Sequence, residues 1–178
     1  MGAVRHVIAP NWIDDAYVAD WMGADPEAQS WAGRGVAKRA AKRGLSVRFD
    51  HALTSGQGTP WKSEIGQMVV PGSRIHREAV FFHHASATLI LTDLIENFEP
   101  SKLPWWMAAI TRLAGIAAPN GRMPPDMKAT FNKPKLAAAV RQLIDWGPER
   151  VILSHGAWYD RDGANVLRRA FGHVLANY

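Results

Sequence analysis

Short apolar runs and amphipathic stretches take turns along the whole chain, and this interleaving restricts its fold more than any other feature. Residues 4–9 (VRHVIA) read as a short strand stopped by Pro10 and Asn11. A helix is expected over residues 12–22, with Asn11 as N-cap, Asp14 near a capping-box position and Gly23 at its end. Residues 36–43 (VAKRAAKR) form a second short helix closed by Gly44. Residues 50–62 are rich in Gly, Thr and Ser and read as loop. A strand over residues 65–70 stops at Pro71-Gly72-Ser73. Residues 79–82 (AVFF) and 88–92 (TLILT) flank a short polar linker, the pattern of a hairpin.

The second half continues the alternation. Residues 104–115 (PWWMAAITRLAG) form an amphipathic helix, and residues 120–125 a breaker-rich loop. In residues 133–146, Leu136, Val140, Leu143 and Ile144 share one helical face, with Pro134 in the first turn and Gly147-Pro148 beyond the end. Residues 151–153 read as a buried strand and residues 162–175 as a last helix. Such an order specifies a layered α/β domain, and the hairpin requires a mixed rather than purely parallel sheet. With 178 residues, one domain over residues 1–178 is expected.

Composition removes several classes. There is no cysteine, so neither a disulfide framework nor a thiolate metal site can form. No secretory signal or run of about 20 apolar residues is visible, so a cytoplasmic protein without a membrane span is expected. The net charge of +5 is concentrated between Arg34 and Arg48. Arg34, Lys38, Arg39, Lys42 and Arg43 could track phosphates, but few aromatics interleave with them. A solvated basic helix is the favoured reading, and nucleic acid the disfavoured partner.

Three strands end in residues capable of chemistry. The first leads to Asn11, Asp14 and Asp15, the second to Asp93 and the third to His155. Ligands of open α/β sheets bind outside the carboxyl ends of strands. Side by side, these ends would gather carboxylates and an imidazole able to hold a divalent ion or move protons. Each residue also has a plainer use: helix capping for Asn11 and Asp14, turn formation for Asp93 and His155. His83 and His84 are adjacent and point to opposite faces of a strand, so a turn role suits them better than shared metal ligation. Trp105 and Trp106 could roof a pocket or touch a membrane, but core packing or an interface is the expectation.

A strand ending in Asp93, followed later by a strand ending in Ser154-His155-Gly156, resembles the last two metal-ligand motifs of the metallo-β-lactamase superfamily. Residues 4–15 (VRHVIAPNWIDD) resemble its first-motif strand, and residues 81–98 (FFHHASATLILTDLIENF) resemble an uncharacterised branch of unknown function. The resemblance implies a shortened layered fold with flanking helices, lacking the N-terminal hairpin that superfamily members carry. It implies metal ligands Asp14, Asp15, Asp93 and His155, with Asp93 and His155 the catalytic core.

Where the first motif has histidines, this chain has Pro10 and Trp12, and Ser73 stands at the middle-motif histidine. His76 lies nearby, out of register. A two-zinc site therefore does not transfer intact. One imidazole among carboxylates suits a single Zn, Mn or Fe ion, with Mg also compatible, and a metal-free protein is the alternative. The functions implied are a metal-dependent hydrolase of small-molecule esters, lactones or phosphoesters, or a non-catalytic binding or scaffold relative. A nucleic-acid-binding module is a third reading. A missing hairpin would leave a sheet edge uncovered, so a homo-oligomer is expected.

Overall fold

The computed structural model describes residues 2–13, 16–45, 47–55 and 58–178. Two sheets form its centre. The first contains β1 (His6–Ala9), β2 (Gln29–Ala32) and β3 (His51–Ala52), all parallel, in that order. The second contains β4 (Ile65–Val69), β5 (Ala79–His83), β6 (Thr88–Ile90) and β7 (Arg150–Ile152). Here β4–β5 and β5–β6 are antiparallel and β6–β7 is parallel, which makes the sheet mixed as expected. Helices α1 (Val18–Ala24) and α2 (Val36–Lys42) belong to the first half. Helices α3 (Trp105–Ala114), α4 (Pro125–Thr130), α5 (Lys133–Asp145), α6 (Gly163–Ala170) and α7 (Gly172–Leu175) belong to the second.

Strand alternation sorts the side chains into three cores. Val7 and Ala9 of β1 pack with Val18 of α1 and Val36 of α2. Ala79 and Phe81 of β5 face the other way, against Trp31, Leu53 and Trp61, with Ile8, Ile65 and Ile90 at the margin. Val80 and Phe82, the alternate residues of β5, join Leu89, Val151, Leu136, Val140, Leu143, Val166 and Phe171 in the largest core. The layers therefore run helix, sheet, sheet, helix. β1 is an edge strand of its sheet, but the carbonyl of Pro10 just beyond it accepts a bond from Ala79 N of β5 at 3.0 Å. That bond pins the end of the first sheet to the second.

Five local expectations differ from the structure. Residues 11–13 form a bend rather than a helical turn, and α1 begins only at Val18, so Asn11 is not its cap. β2 and β3 were not evident: QSWA and His51-Ala52 are too short to carry a period-2 pattern, and only pairing with β1 makes them strands. The breaker-rich loop runs into α4, whose Pro125 sits in the first helical turn. The last helix is broken at Phe171, where the backbone leaves helical geometry. Trp105 and Trp106 are 84% and 51% exposed, so they are not core residues. The buried face of α3 is carried instead by Ala108 and Thr111.

The other elements match closely. Asn132 caps α5 by accepting Lys135 N at 3.1 Å, and Gly115 ends α3 in the left-handed region at φ 72°. His83 Nδ1 meets Ser86 Oγ at 2.7 Å inside the hairpin, and His84 N donates to Glu64 O at 3.0 Å, so the pair serves the turn.

The contrast between core and surface leucines gives a test. Leu89→Ala removes a side chain with no exposure and should cost about 2–5 kcal/mol in denaturant unfolding. Leu113→Ala, at a side chain 90% exposed, should shift stability by no more than about 0.5 kcal/mol.

Candidate functional site

The site begins with a buried carboxylate that the sequence did not advertise. Glu78 sits just before β5 and is 3% exposed. Its Oε1 accepts the backbone N–H of Thr92 at 2.6 Å, and its Oε2 accepts those of Asp93 and Leu94, both at 2.9 Å. Three consecutive N–H groups leaving β6 are thereby satisfied by one side chain, and the turn that carries Asp93 is held in shape. Burial pushes the Glu78 carboxyl up to about 8, with the Asp93 charge adding to the rise and the N–H donors of Thr92 and Asp93 opposing it.

Asp93 is itself buried, and both of its oxygens are engaged. Its Oδ1 lies 2.9 Å from His155 Nε2, and its Oδ2 accepts from Asn11 Nδ2 at 2.8 Å. Asn11 Nδ2 also reaches Thr92 Oγ1 at 2.8 Å, and Asn11 Oδ1 accepts Ile13 N at 2.7 Å. Asn11, at the end of β1, is thus a clamp on Asp93. His155 follows β7, and its carbonyl accepts Asn97 N at 3.0 Å. The next residue, Gly156, has φ 91°, and a Cβ there would lie 2.0 Å from Asn97 O, so only glycine allows this approach.

The three strand ends therefore converge at Asn11, Asp93 and His155. Asp14 and Asp15 lie outside the described residues. Glu96 is the member that the sequence reading missed. Ligand atoms of Asp93, Glu96 and His155 all lie within 4.8 Å of one another. In residues 92–97 (TDLIEN), Asp93 and Glu96 are three apart, and that spacing was the available signal. Burial raises the Glu96 carboxyl, His155 lowers it, and Asp93 and Asp126 raise it further.

These three side chains open into a cleft of about 420 Å³ that His76, Asp126 and Met127 also line. His76, out of register in the sequence, is brought back by the Ser73 turn: Ser73 Oγ accepts His76 N at 2.9 Å and Ile75 N at 3.1 Å. His76 Nδ1 lies 3.0 Å from Thr130 Oγ1, while that hydroxyl donates to Met127 O at 2.8 Å. With the hydroxyl proton so used, Nδ1–H is the donor in this contact.

No family model matches the sequence, and no curated protein does. Solved structures do. A metallo-β-lactamase from Pontibacter korlensis superposes with TM-score 0.59 at 14% identity, over 98% of this chain and 70% of that one. The corresponding enzyme of Hirschia baltica gives 0.58 at 16%, over 96% and 68%. FIM-1 from Pseudomonas aeruginosa, solved in a mono-zinc form, gives 0.58 at 13%, over 96% and 67%. This chain has a metallo-β-lactamase-like fold and spans about two-thirds of those neighbours' length.

Glu78→Ala would orphan three buried N–H groups and should cost roughly 3 kcal/mol or more. Because folding raises the Glu78 pKa, its titration contributes stability fully below about pH 4.5 and loses it as pH rises through about 8. The stability gap between wild type and Glu78→Ala, measured by urea unfolding, should therefore narrow from pH 5 to pH 9.

Proposed function

We propose that the chain is a metal-dependent hydrolase acting on small-molecule esters, lactones or phosphoesters in the Asp93–Glu96–His155 cleft. The proximity of those three ligand atoms at strand ends carries this reading. Two carboxylate oxygens and one imidazole nitrogen form a donor set of intermediate hardness, which fits one Zn, Mn or Fe ion. Three protein ligands leave room for water, as catalytic sites require. The fit also explains why Asp93 and Glu96 stay close despite like charge.

Asp93, Glu96 and His155 would hold the ion, and Asn11 and Glu78 would keep Asp93 in position. Asp14 and Asp15 remain proposed as further ligands from the first motif. When bound, the ion would lower the pKa of a coordinated water and polarise the scissile group. His76, held through Nδ1 and lining the cleft, is suited to exchange a proton with a bound substrate. Asp126, which lines the cleft, would favour neutral esters, lactones and phosphodiesters over phosphomonoester dianions.

A metal-free binding protein is the second reading. The direct 2.9 Å contact between His155 Nε2 and Asp93 Oδ1 favours it, because the pair satisfies itself without an ion. We place the protein in the cytoplasm, and the described residues contain no helix long and apolar enough to cross a membrane. The edge position of β1 supports a homo-oligomer.

Elemental analysis of protein purified without added metal separates the two functional readings. The hydrolase reading expects about one transition metal per chain, lost in Asp93→Ala and His155→Ala and weakened about 10–100-fold in Asn11→Ala. His76→Gln should keep the metal and lower kcat by about 10²-fold or more. A chain with no metal, and no thermal shift on adding Mn²⁺ or Zn²⁺, would leave only the binding-protein reading.

A further inference from the structure

A second concave site lies beside the cleft and shares Ala114 and Pro125 with its wall. It has a volume of about 250 Å³ and is lined by Arg122, Lys128, Arg169 and His173, with Leu113 at its rim. The cations come from separate parts of the chain. Lys128 is on α4, Arg169 on α6 and His173 on α7, while Arg122 is bridged through its backbone to Glu96. No Asp or Glu lines the hollow. Arg122, Lys128 and Arg169 have no ion-pair partner among the described residues.

Two further observations concern the groups around this space. Burial lowers the His173 pKa, the nearby charges of Lys128, Lys133 and Arg122 lower it further, and a hydrogen bond with the Ala170 backbone opposes them. The guanidinium of Arg169 sits 5.7 Å above the Tyr159 ring, which restrains the fork while its outer edge stays exposed. Like charges without ion-pair partners around a concavity repel one another, and one bound anion would relieve that repulsion.

We propose that this hollow is an oxyanion site for a phosphate or phosphate-monoester group. Two guanidinium forks and an ammonium match a tetrahedral dianion better than a monovalent carboxylate. The proposal concerns a site separate from the Asp93 cleft and does not depend on a metal there. The same phosphate chemistry could be presented by a soluble ester or by a lipid headgroup. Leu113 at the rim continues into the exposed Trp105, Trp106 and Ile110 of α3, so the second source has an apolar surface beside the hollow.

Calorimetric titration of the full chain with inorganic phosphate and glycerol 1-phosphate, against chloride at equal ionic strength, tests the site. Saturable binding is expected, weakened about tenfold by Arg122→Gln or by Lys128→Gln. Arg169→Lys should retain part of the affinity, and Lys38→Gln with Lys42→Gln on α2 should leave it unchanged. All of these side chains are exposed, and an unaltered near-ultraviolet circular dichroism spectrum would verify folding. Phosphatidic acid vesicles, compared with phosphatidylcholine, identify the source. Sedimentation that Arg122→Gln abolishes and Trp105→Ala weakens would assign a lipid headgroup; phosphate binding without sedimentation would assign a soluble ester. No saturable phosphate binding overturns the proposal. Binding that survives the Arg122→Gln, Lys128→Gln double variant overturns it as well.

Discussion

One buried acidic side chain organises the candidate-site end of this molecule. Glu78 stands at the start of β5, yet its oxygens receive the N–H groups of the turn after the neighbouring strand β6. A backbone turn leaving a sheet must satisfy those groups or stay in water. Glu78 lets the turn be buried, and the turn fixes where Asp93 points. The Ala79 N–H, one residue on, bonds the carbonyl of Pro10 and brings the end of β1 to the same place. Asn11 can then clamp the second oxygen of Asp93. One short stretch around Glu78 thus couples the two sheets to the site.

Much of the scaffold was legible because its elements are periodic or sharply punctuated. The β5–β6 hairpin, α5 with its Asn132 cap and α3 with its Gly115 end all follow from local rules. What escaped was decided over distance. β2 is a strand because β1 lies beside it, and α1 starts late because Asn11 is drawn to Asp93 instead of capping a helix. Trp105 and Trp106 fit a buried face by hydropathy, but small residues of α3 occupy the contact side.

The site was half legible for the same reason. Asp93 and His155 stood at strand ends, where chemistry gathers, and the structure brings them within 2.9 Å. Glu96 was given no role from the sequence, and the turn after β6 brings it near Asp93. His76 read as misplaced because register was counted along the chain, whereas the Ser73 turn returns it to the cleft. Glu78 gave no signal at all, since nothing local distinguishes an acid before a strand from a solvated one.

The proposed centre is a single metal ion held by Asp93, Glu96 and His155 on a metallo-β-lactamase-like scaffold. Anomalous diffraction from crystals grown with Mn²⁺ or Zn²⁺ tests it most directly. The account predicts one strong peak bounded by Asp93, Glu96 and His155, with Asn11 still bonded to the outer oxygen of Asp93. A peak elsewhere, or none with Asp93 and His155 still in direct contact, would contradict it.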